Sequence, residues 1–358
     1  MSISRVFIII TILLFGTIAA LSLYKKKPAK AARSPQVASV AATPVVARAP
    51  VFDGKPIEVN LESFQPQKIA STQQTAEPKS TQATLQTPTE LFEDVDNTAL
   101  LFQKNSPLPY VTTVRYRTKA PWKPGKVAWL VDYASHYHTT LDFIARSLNG
   151  GRPDYAIQPV TEGTEFQVLH PEKEFSFFMG LDLHRCKLWL YIVDPKEKKC
   201  FLVKTYRVGL GRLDPTKESG ALTPLGTYKL GSRVAAFTPK MMGMHRGKRV
   251  ELIRVFGTRW IPFEREIGRC TEPAKGFGIH GTPWVNDEKT GQLVSSFLGI
   301  AKHESDGCVR LPQQDVEELY SIITTREATV SIVRDIQELE LPFPALPFSA
   351  APQIIGKQ

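Results

Sequence analysis

Ile279-His280-Gly281-Thr282 is followed, after a loop, by Ser305-Asp306-Gly307-Cys308-Val309-Arg310-Leu311. A thiol attacks only as the thiolate, so a reactive cysteine needs a nearby base or cation and access to its substrate. Cys308 is flanked by Ser, Asp, Gly and Arg rather than by the apolar run that is typical of a core cysteine. The two segments therefore predict a nucleophile, Cys308, and a base, His280, which we expect to lower the pKa of the thiol.

The residues just before Cys308 predict a tight turn. Gly307 removes a side chain at the point where a substrate carbonyl would approach, and free N–H groups in such a turn could receive an oxyanion. Ser305 is expected to support the turn. We therefore place Ser305, Asp306 and Gly307 among the substrate-binding residues.

Both segments resemble the motifs of the YkuD-type L,D-transpeptidases of bacterial cell walls, which carry Ile-His-Gly-Thr/Ser and then Ser-His-Gly-Cys-Val/Ile-Arg/Asn. Thr223-Pro224-Leu225-Gly226-Thr227-Tyr228 is similar to the Thr-Pro-x-Gly-x-Phe turn of that family, and Gly209-Leu210-Gly211 to its preceding strand end. The resemblance covers residues 175–335. The chain departs from the pattern at Asp306, where the family usually has histidine, and in the longer loop before Cys308.

The resemblance implies a reaction in peptidoglycan synthesis and so a role in cell-wall biogenesis and cell shape. Cys308 would attack the carbonyl of the diamino acid in a tetrapeptide stem, expel D-alanine and pass the acyl group to an amine of another stem. His280 would accept the thiol proton and return it to the leaving amine. Arg310 would either hold a stem carboxylate or form a structural ion pair. This chemistry needs no metal and no organic cofactor.

Asp306 raises the question of whether the site is active. An aspartate could stabilise protonated His280, as a carboxylate orients the base in other triads. It would also disfavour a thiolate at Cys308. We therefore expect a slower enzyme, in which Asp306→Ala loses rate and Asp306→His retains or gains it.

Two other functions remain open. One is a non-catalytic scaffold that binds peptidoglycan, and the other is an L,D-carboxypeptidase or another hydrolase of the wall that gives the acyl group to water. Cys270 precedes His280 by few residues, which also leaves open a regulatory disulfide with Cys308.

The apolar pattern of residues 175–335 predicts a mainly β domain. Residues 188–193 and 200–208 flank a polar turn as a hairpin, with Cys200 facing Val193. An amphipathic helix is expected after Pro312 and a closing strand at residues 328–333. The predicted fold is a YkuD-like β-sandwich with one main helix, followed by an extended tail at 336–358.

Residues 109–171 predict a small α+β domain before the catalytic domain. Apolar residues recur at helical spacing around Leu130 and again from Leu141 to Leu148, Asn149-Gly150 is a helix stop, and residues 163–169 are typical of a strand. The segment resembles the βααβ LysM module, which binds N-acetylglucosamine polymers. A docking domain without sugar affinity is the alternative.

The amino-terminal third has two parts. Residues 6–24 are uncharged and close to the ~20 residues that span a bilayer, so we interpret 1–24 as a transmembrane anchor, with a cleaved signal peptide as the alternative. Residues 25–108, rich in Ala, Pro, Thr and Gln, predict a disordered tether. Lysines after the anchor favour a cytoplasmic body, but wall chemistry requires a periplasmic one, and we predict the latter.

The net charge of +10 and the pI near 9.3 indicate anionic partners. A carboxylate-rich wall polymer or membrane phospholipid fits this charge. Nucleic acid is not expected, because the basic residues are scattered and no nucleic-acid-binding motif is present. The four cysteines lack metal-ligand spacing.

Overall fold

The structure, a computed structural model, describes residues 94–152, 159–347 and 351. Within these ranges the chain is mainly β, as predicted, with one ten-stranded sheet, four two-stranded ribbons and five α-helices. In the described part, no helix is both long enough and apolar enough to cross a membrane. The predicted anchor and residues 25–93 of the predicted tether lie outside the described residues.

The folded body begins before the predicted boundary at residue 109. Helix α1 (Ala99–Phe102) buries Leu101 and Phe102 almost completely. Just before it, the Asn97 N–H donates to the Val203 carbonyl at 2.9 Å. Residues 94–108 therefore pack on the body and are not part of a free tether.

Residues 111–169 form the expected β-α-α-β unit. Its elements are β1 (Val111–Arg115), α2 (Leu130–His136), α3 (Leu141–Leu148) and β2 (Glu165–Leu169). The two strands pair antiparallel, and the hydroxyl of Thr140 caps α3 by accepting the Phe143 N–H at 2.9 Å. The order of elements agrees with the sequence, while the LysM identity stays a prediction.

The ten-stranded sheet carries the rest of the fold. Its path from edge to edge is β16 (Val309–Leu311), β12 (Gly278–Gly281), β11 (Arg259–Ile267), β7 (Gly226–Leu230), β17 (Ala328–Val333), β3 (Ser176–Asp182), β4 (Lys187–Asp194), β5 (Lys199–Arg207) and β18 (Ala345–Pro347), and β8 (Ala235–Ala236) pairs with β11 beside this path. The short ribbons use β6 (Leu210–Gly211), β9 (Met242–His245), β10 (Lys248–Glu251), β13 (Trp284–Asn286), β14 (Leu293–Ser295) and β15 (His303–Ser305). β4 and β5 form the predicted hairpin, in which Val193 faces Cys200 as expected.

The central strands are buried on both faces, which explains their nearly continuous apolar sequence. Along β4, Leu188, Leu190 and Ile192 face the main core, whereas Trp189 and Tyr191 face a second, smaller core. This alternation follows from the two-residue period of a strand. At roughly 25 cal/mol per Å² of apolar surface, burial of such strands is the main stabilising contribution to the sheet.

The main helix is α5 (Gln313–Ile323), which begins after Pro312 as predicted and buries Val316, Leu319 and Ile323. It packs against β12 and β11, and α3 of the amino-terminal unit packs on it. The Thr140 hydroxyl donates to the Ser321 carbonyl at 2.9 Å across this contact. The amino-terminal unit and the sheet domain thus share one body. A shorter helix, α4 (Ile253–Phe256), precedes β11.

The carboxy-terminal segment differs from the prediction of an extended tail. After a 3₁₀ turn at Ile336–Glu338, β18 joins the sheet edge in parallel to β5, with Leu346 opposite Phe201. Leu341, Phe343 and Ala345, which alternate with the prolines of this segment, pack against the second core. Residues 348–350 and 352–358 lie outside the described residues.

Candidate active site

Two parallel strands bring the predicted base and nucleophile to one face of the sheet edge. In the β12–β16 pair, Ile279 lies opposite Val309 and His280 opposite Arg310. Ile279 and Val309 are fully buried and face the core. Because side chains alternate along a strand, His280, Arg310 and Cys308, which comes directly before β16, lie together on the opposite face.

Ser305 and Gly307 shape the turn that carries the nucleophile. The buried Ser305 hydroxyl donates to the Cys308 carbonyl at 2.7 Å and accepts the Gly307 N–H at 3.1 Å. Ser305 therefore supports the turn, as expected. The Gly307 N–H is used in this bond, so it is not the free oxyanion donor that the sequence suggested.

Packing requires a glycine at position 307, and the predicted role of Gly307 in substrate access stays a prediction. Its φ of +118° lies in the region that favours glycine. A Cβ at this position would lie 2.6 Å from the Phe277 ring and 2.8 Å from the Leu222 carbonyl oxygen. Any side chain here would displace the turn that holds Cys308.

Thr223 links the turn to two other motifs. Its buried hydroxyl donates to the Gly307 carbonyl at 3.0 Å and accepts the Gly211 N–H at 2.7 Å. Thr223 thus joins the Thr-Pro-x-Gly segment and the Gly-Leu-Gly segment to the Cys308 turn. Sequence reasoning found both segments but not this supporting role.

His280 is held as a neutral base. The ring is 4% exposed, and its Nδ1 lies 2.7 Å from the Gly281 carbonyl oxygen, an acceptor that fixes the proton on Nδ1 and leaves Nε2 unprotonated. Burial lowers the pKa of His280 to about 4, and the Arg310 charge acts in the same direction. The rings of Phe256 and Trp260 lie 5.5 and 5.9 Å from the imidazole. His280 can therefore accept a proton at neutral pH.

Cys308 is a half-buried thiol. Its Sγ lies 3.7 Å from the Gly276 carbonyl oxygen. Burial raises the pKa of Cys308 to about 11 and Asp306 adds to the rise, while the Gly278 N–H and the Arg310 and Arg246 charges oppose it. The expectation that His280 lowers this pKa is not met, because burial opposes both ionised forms. At neutral pH the resting pair is a thiol and a neutral imidazole, and the proton moves when the sulfur attacks.

Asp306 has different partners from those that its position suggested. Oδ1 lies 2.7 Å from Nη1 of Arg212, and Oδ2 lies 2.8 Å from Nη2 of Arg246. No hydrogen bond joins Asp306 to His280 in the described residues. The imidazole is oriented by a backbone carbonyl, and the carboxylate joins two arginines that the sequence reasoning missed.

Arg310 lies on the same strand face as Cys308 and forms no ion pair in the described part of the chain. Its backbone exchanges two hydrogen bonds of 2.8 Å with Gly209. Within the described ranges no carboxylate lies within 4.0 Å of the guanidinium, and Nε has no acceptor. Burial lowers the pKa of Arg310 from its ordinary value. Of the two predicted roles, this geometry favours binding of a substrate carboxylate over a structural ion pair.

The structure shows neither a disulfide nor a metal-binding group in the described residues. All four cysteines are free, and the Cys270 thiol donates to the Thr227 carbonyl at 3.3 Å, so the suggested bond to Cys308 is not present. Over the described part of the chain, no group of His, Cys, Asp and Glu side chains is arranged to hold a metal ion.

Three solved structures match about half of the chain. The helical cell shape determining protein Pgp2 from Campylobacter jejuni matches at 17% identity and a TM-score of 0.29, over 45% of this chain and 49% of Pgp2. Bd1075 from Bdellovibrio bacteriovorus matches at 15% identity and a TM-score of 0.29, over 45% and 49% of the two chains. An L,D-transpeptidase from Mycobacterium tuberculosis matches at 14% identity and a TM-score of 0.26, over 49% and 74%. The chain spans about half the length of Pgp2 and Bd1075.

A search of curated proteins found no match. The family model described as the L,D-transpeptidase catalytic domain, YkuD, matches residues 181–332. This range contains His280, Cys308 and the strands that place them on one face. Residues 181–332 are therefore a YkuD-type L,D-transpeptidase catalytic domain.

Proposed function

We propose that the chain is a cell-wall acyltransferase in which Cys308 is the nucleophile and His280 the base. The observation that carries this proposal is the β12–β16 pairing, which puts a neutral, backbone-oriented imidazole and a half-buried thiol on one face. The match to the YkuD domain supports the reaction class of this proposal and, with it, peptidoglycan as the substrate. The glycan would be a further partner of the LysM-like unit.

The reaction follows from the protonation states of the pair. Nε2 of His280 takes the thiol proton as the sulfur adds to the carbonyl of the diamino acid in a tetrapeptide stem. The C–N bond to D-alanine breaks, and His280 returns the proton to the leaving amine. An amine of a second stem then attacks the thioester, gives its proton to His280 and restores the Cys308 thiol.

The oxyanion of each tetrahedral intermediate needs a donor beside the sulfur. The Cys308 N–H has no hydrogen-bond acceptor in the described residues, whereas the Gly307 N–H is already used. We assign the Cys308 N–H to the oxyanion and Arg310 to a stem carboxylate. Removing one such oxyanion donor typically costs about 10²–10³ in kcat.

The decisive test is product analysis by mass spectrometry after incubation of the full chain with disaccharide tetrapeptide. We expect release of D-alanine and formation of cross-linked dimers. Cys308→Ala should abolish both products, and Cys270→Ala, a change at another half-buried cysteine, should abolish neither. Tripeptide products without dimers would instead make the protein an L,D-carboxypeptidase. No D-alanine release at all would favour the non-catalytic scaffold.

A carbapenem tests the nucleophile independently of the acceptor. Its strained ring imitates the scissile amide, so we expect an acyl adduct on Cys308 that is lost in Cys308→Ala. Peptide mass spectrometry locates the adduct. Labelling that persists in the alanine variant would place the nucleophile elsewhere.

We also propose that residues 1–24 anchor the chain in the cytoplasmic membrane with the catalytic domain in the periplasm. The location of the proposed substrate supports this topology. Reporters that are active only in the periplasm or only in the cytoplasm, fused after residue 108, would distinguish the two orientations. Activity from the cytoplasmic reporter alone would contradict the location and the function that depends on it.

A further inference from the structure

Asp306 joins two arginines from separate parts of the sheet domain at the turn of the nucleophile. Arg212 is fixed beside this turn, because its N–H donates to the Ser305 carbonyl at 2.9 Å and its carbonyl accepts the Leu222 N–H at 2.8 Å. Arg246 lies in the tight connection between β9 and β10, where positive φ angles at Arg246 and Gly247 make a close hairpin turn. Two guanidinium groups from different segments thus meet at Asp306, two residues before Cys308.

Both arginines keep donors available for a ligand. Each uses one terminal nitrogen for Asp306, and neither side chain has another partner in the described residues. The side chains are 59% and 65% exposed, so their other N–H groups reach solvent. A guanidinium carries five donors, which lets it hold one carboxylate and still bind a second.

The charges around the turn do not balance. Arg212, Arg246, Arg310 and Lys302 contribute four positive charges, while Asp306 and Glu304 contribute two negative ones, and Glu304 lies 3.5 Å from Lys302. The net charge of these six groups is therefore +2. An anionic ligand at this position would restore the balance.

We propose that Arg212 and Arg246, positioned by Asp306, bind a non-reacting carboxylate of the acyl-donor peptide. This proposal rests on the proposed function for the identity of the donor. The two arginines contact Asp306, which precedes Cys308 in the turn, whereas Arg310 follows Cys308 on β16. The pair is thus a carboxylate-recognition point in addition to Arg310, and it makes the enzyme selective for stems whose carboxylates are free.

Binding of a synthetic tetrapeptide to the full chain carrying Cys308→Ala tests the pair without turnover. The peptide is used in two forms, one with free non-reacting carboxylates and one with those carboxylates amidated, and calorimetry gives both affinities. We expect the free form to bind about tenfold more tightly, the lower range for charge-assisted hydrogen bonds at a partly exposed site. Adding Arg212→Gln and Arg246→Gln should reduce this preference to the part that Arg310 supplies.

Arg115→Gln is the matched control, because Arg115 is 62% exposed and paired with a single carboxylate, Glu165, in the amino-terminal unit. It should leave the preference unchanged. A glutamine pair that weakens both peptide forms equally would show a structural role and overturn the proposal, as would equal affinities in the parent protein. Carboxylate-dependent binding together with no D-alanine release from the protein with Cys308 intact would keep the arginine pair and reject the proposed function.

The kinetics of the protein with Cys308 intact give a second readout. The double variant Arg212→Gln, Arg246→Gln should raise KM for the free peptide about tenfold. Its Cys308 thiol should be alkylated by iodoacetamide, a neutral reagent, at a rate within a few fold of the parent rate. A loss confined to kcat would place the arginines in the chemical step and contradict a binding role.

Discussion

Two clusters of ion pairs occupy different environments in the molecule. Lys204 contacts Glu318 at 2.7 Å and Asp96 at 3.0 Å, and the Lys204 and Glu318 side chains are only 13% and 10% exposed. Asp306 contacts its two arginines at similar distances, but both guanidinium groups are more than half exposed. Geometry alone does not separate the two clusters, whereas exposure does.

The difference in exposure indicates that the Lys204 cluster stabilises the fold, whereas the Asp306 cluster is available to bind a ligand. The Lys204 cluster also includes the Tyr206 hydroxyl, which donates to Glu318 at 3.0 Å, and it ties the segment before α1 and helix α5 to the sheet. Removing Glu318 from this cluster takes away the least exposed carboxylate and the acceptor of the Tyr206 hydroxyl, which costs folding free energy even though Lys204 keeps Asp96 and Asp315. Exposed pairs contribute little to stability, so the Asp306 cluster can exchange partners with a ligand at small cost to the fold.

The largest expected effect concerns the active-site face, which should matter for chemistry and not for folding. Cys308→Ala and His280→Ala should each lower D-alanine release by at least about 10³-fold, because removal of either member disables the unit. Cys308→Ala should leave the thermal unfolding midpoint nearly unchanged. Rate assays and calorimetry on the same samples check both statements, and residual activity above one per cent would reject the assigned nucleophile.

The buried cluster should show the opposite behaviour. Glu318→Ala leaves Lys204 with Asp96 and Asp315 as its remaining partners and leaves the buried Tyr206 hydroxyl without its acceptor, so it should lower the free energy of unfolding by roughly 1–3 kcal/mol. Chemical denaturation measures this change. Glu165→Ala, which breaks the exposed pair with Arg115, is the control and should leave the denaturation midpoint almost unchanged. Equal effects of the two changes would mean that exposure does not distinguish the clusters.

His280 shares features of both clusters, since it is buried and is also the proposed base. Its pKa falls from 6.5 to about 4 on folding, so the unfolded chain binds more protons between these values. Stability should therefore fall as the pH drops from 6.5 to 4, by roughly 3 kcal/mol from this group, with no further loss below pH 4. The difference between the unfolding curves of the parent protein and His280→Gln isolates this contribution.

Activity should follow the same protonation. Because the base must be neutral, kcat/KM should fall below about pH 4 and show no acid limb near pH 6.5. A limb at 6.5 would mean that His280 is exposed to water in the working enzyme.

Local patterns were sufficient to predict the β4–β5 hairpin, the main helix and the candidate pair His280 and Cys308. The two-residue period of β4 and β5, the helix after Pro312 and the two motifs all depend on residues that are close in sequence. The partners of Asp306 were missed, because Arg212 and Arg246 approach it only through the folded chain. The boundary of the tether was placed too late, at residue 108, for a different reason, since the polar composition of this stretch outweighed its short apolar run Leu100-Leu101-Phe102.

The pKa of Cys308 was also beyond a sequence argument. Proximity to His280 suggested a lowered value, but the value depends on how far folding removes the sulfur from water. The supporting bond from Thr223 to Gly307 likewise joins segments that only the sheet brings together. Motifs therefore identified the proposed nucleophile and base, and the burial of these two residues in the fold determines their protonation.

The smallest effect, at Asp306, bears most directly on the exposed cluster. Asp306→Asn removes the negative charge that helps to raise the pKa of Cys308 and leaves the opposing arginines in place. Alkylation of Cys308 by iodoacetamide at pH 8 should therefore become roughly threefold faster, a change typical of one screened surface charge. Asp306→His cannot bridge two guanidinium groups, so it should weaken peptide binding, in contrast to the retained or gained rate that the sequence predicts. Glu165→Gln, a distant neutralisation, should leave alkylation unchanged. A slower reaction in Asp306→Asn would mean that Asp306 helps the thiolate by holding Arg246, and that its loss moves that cation away.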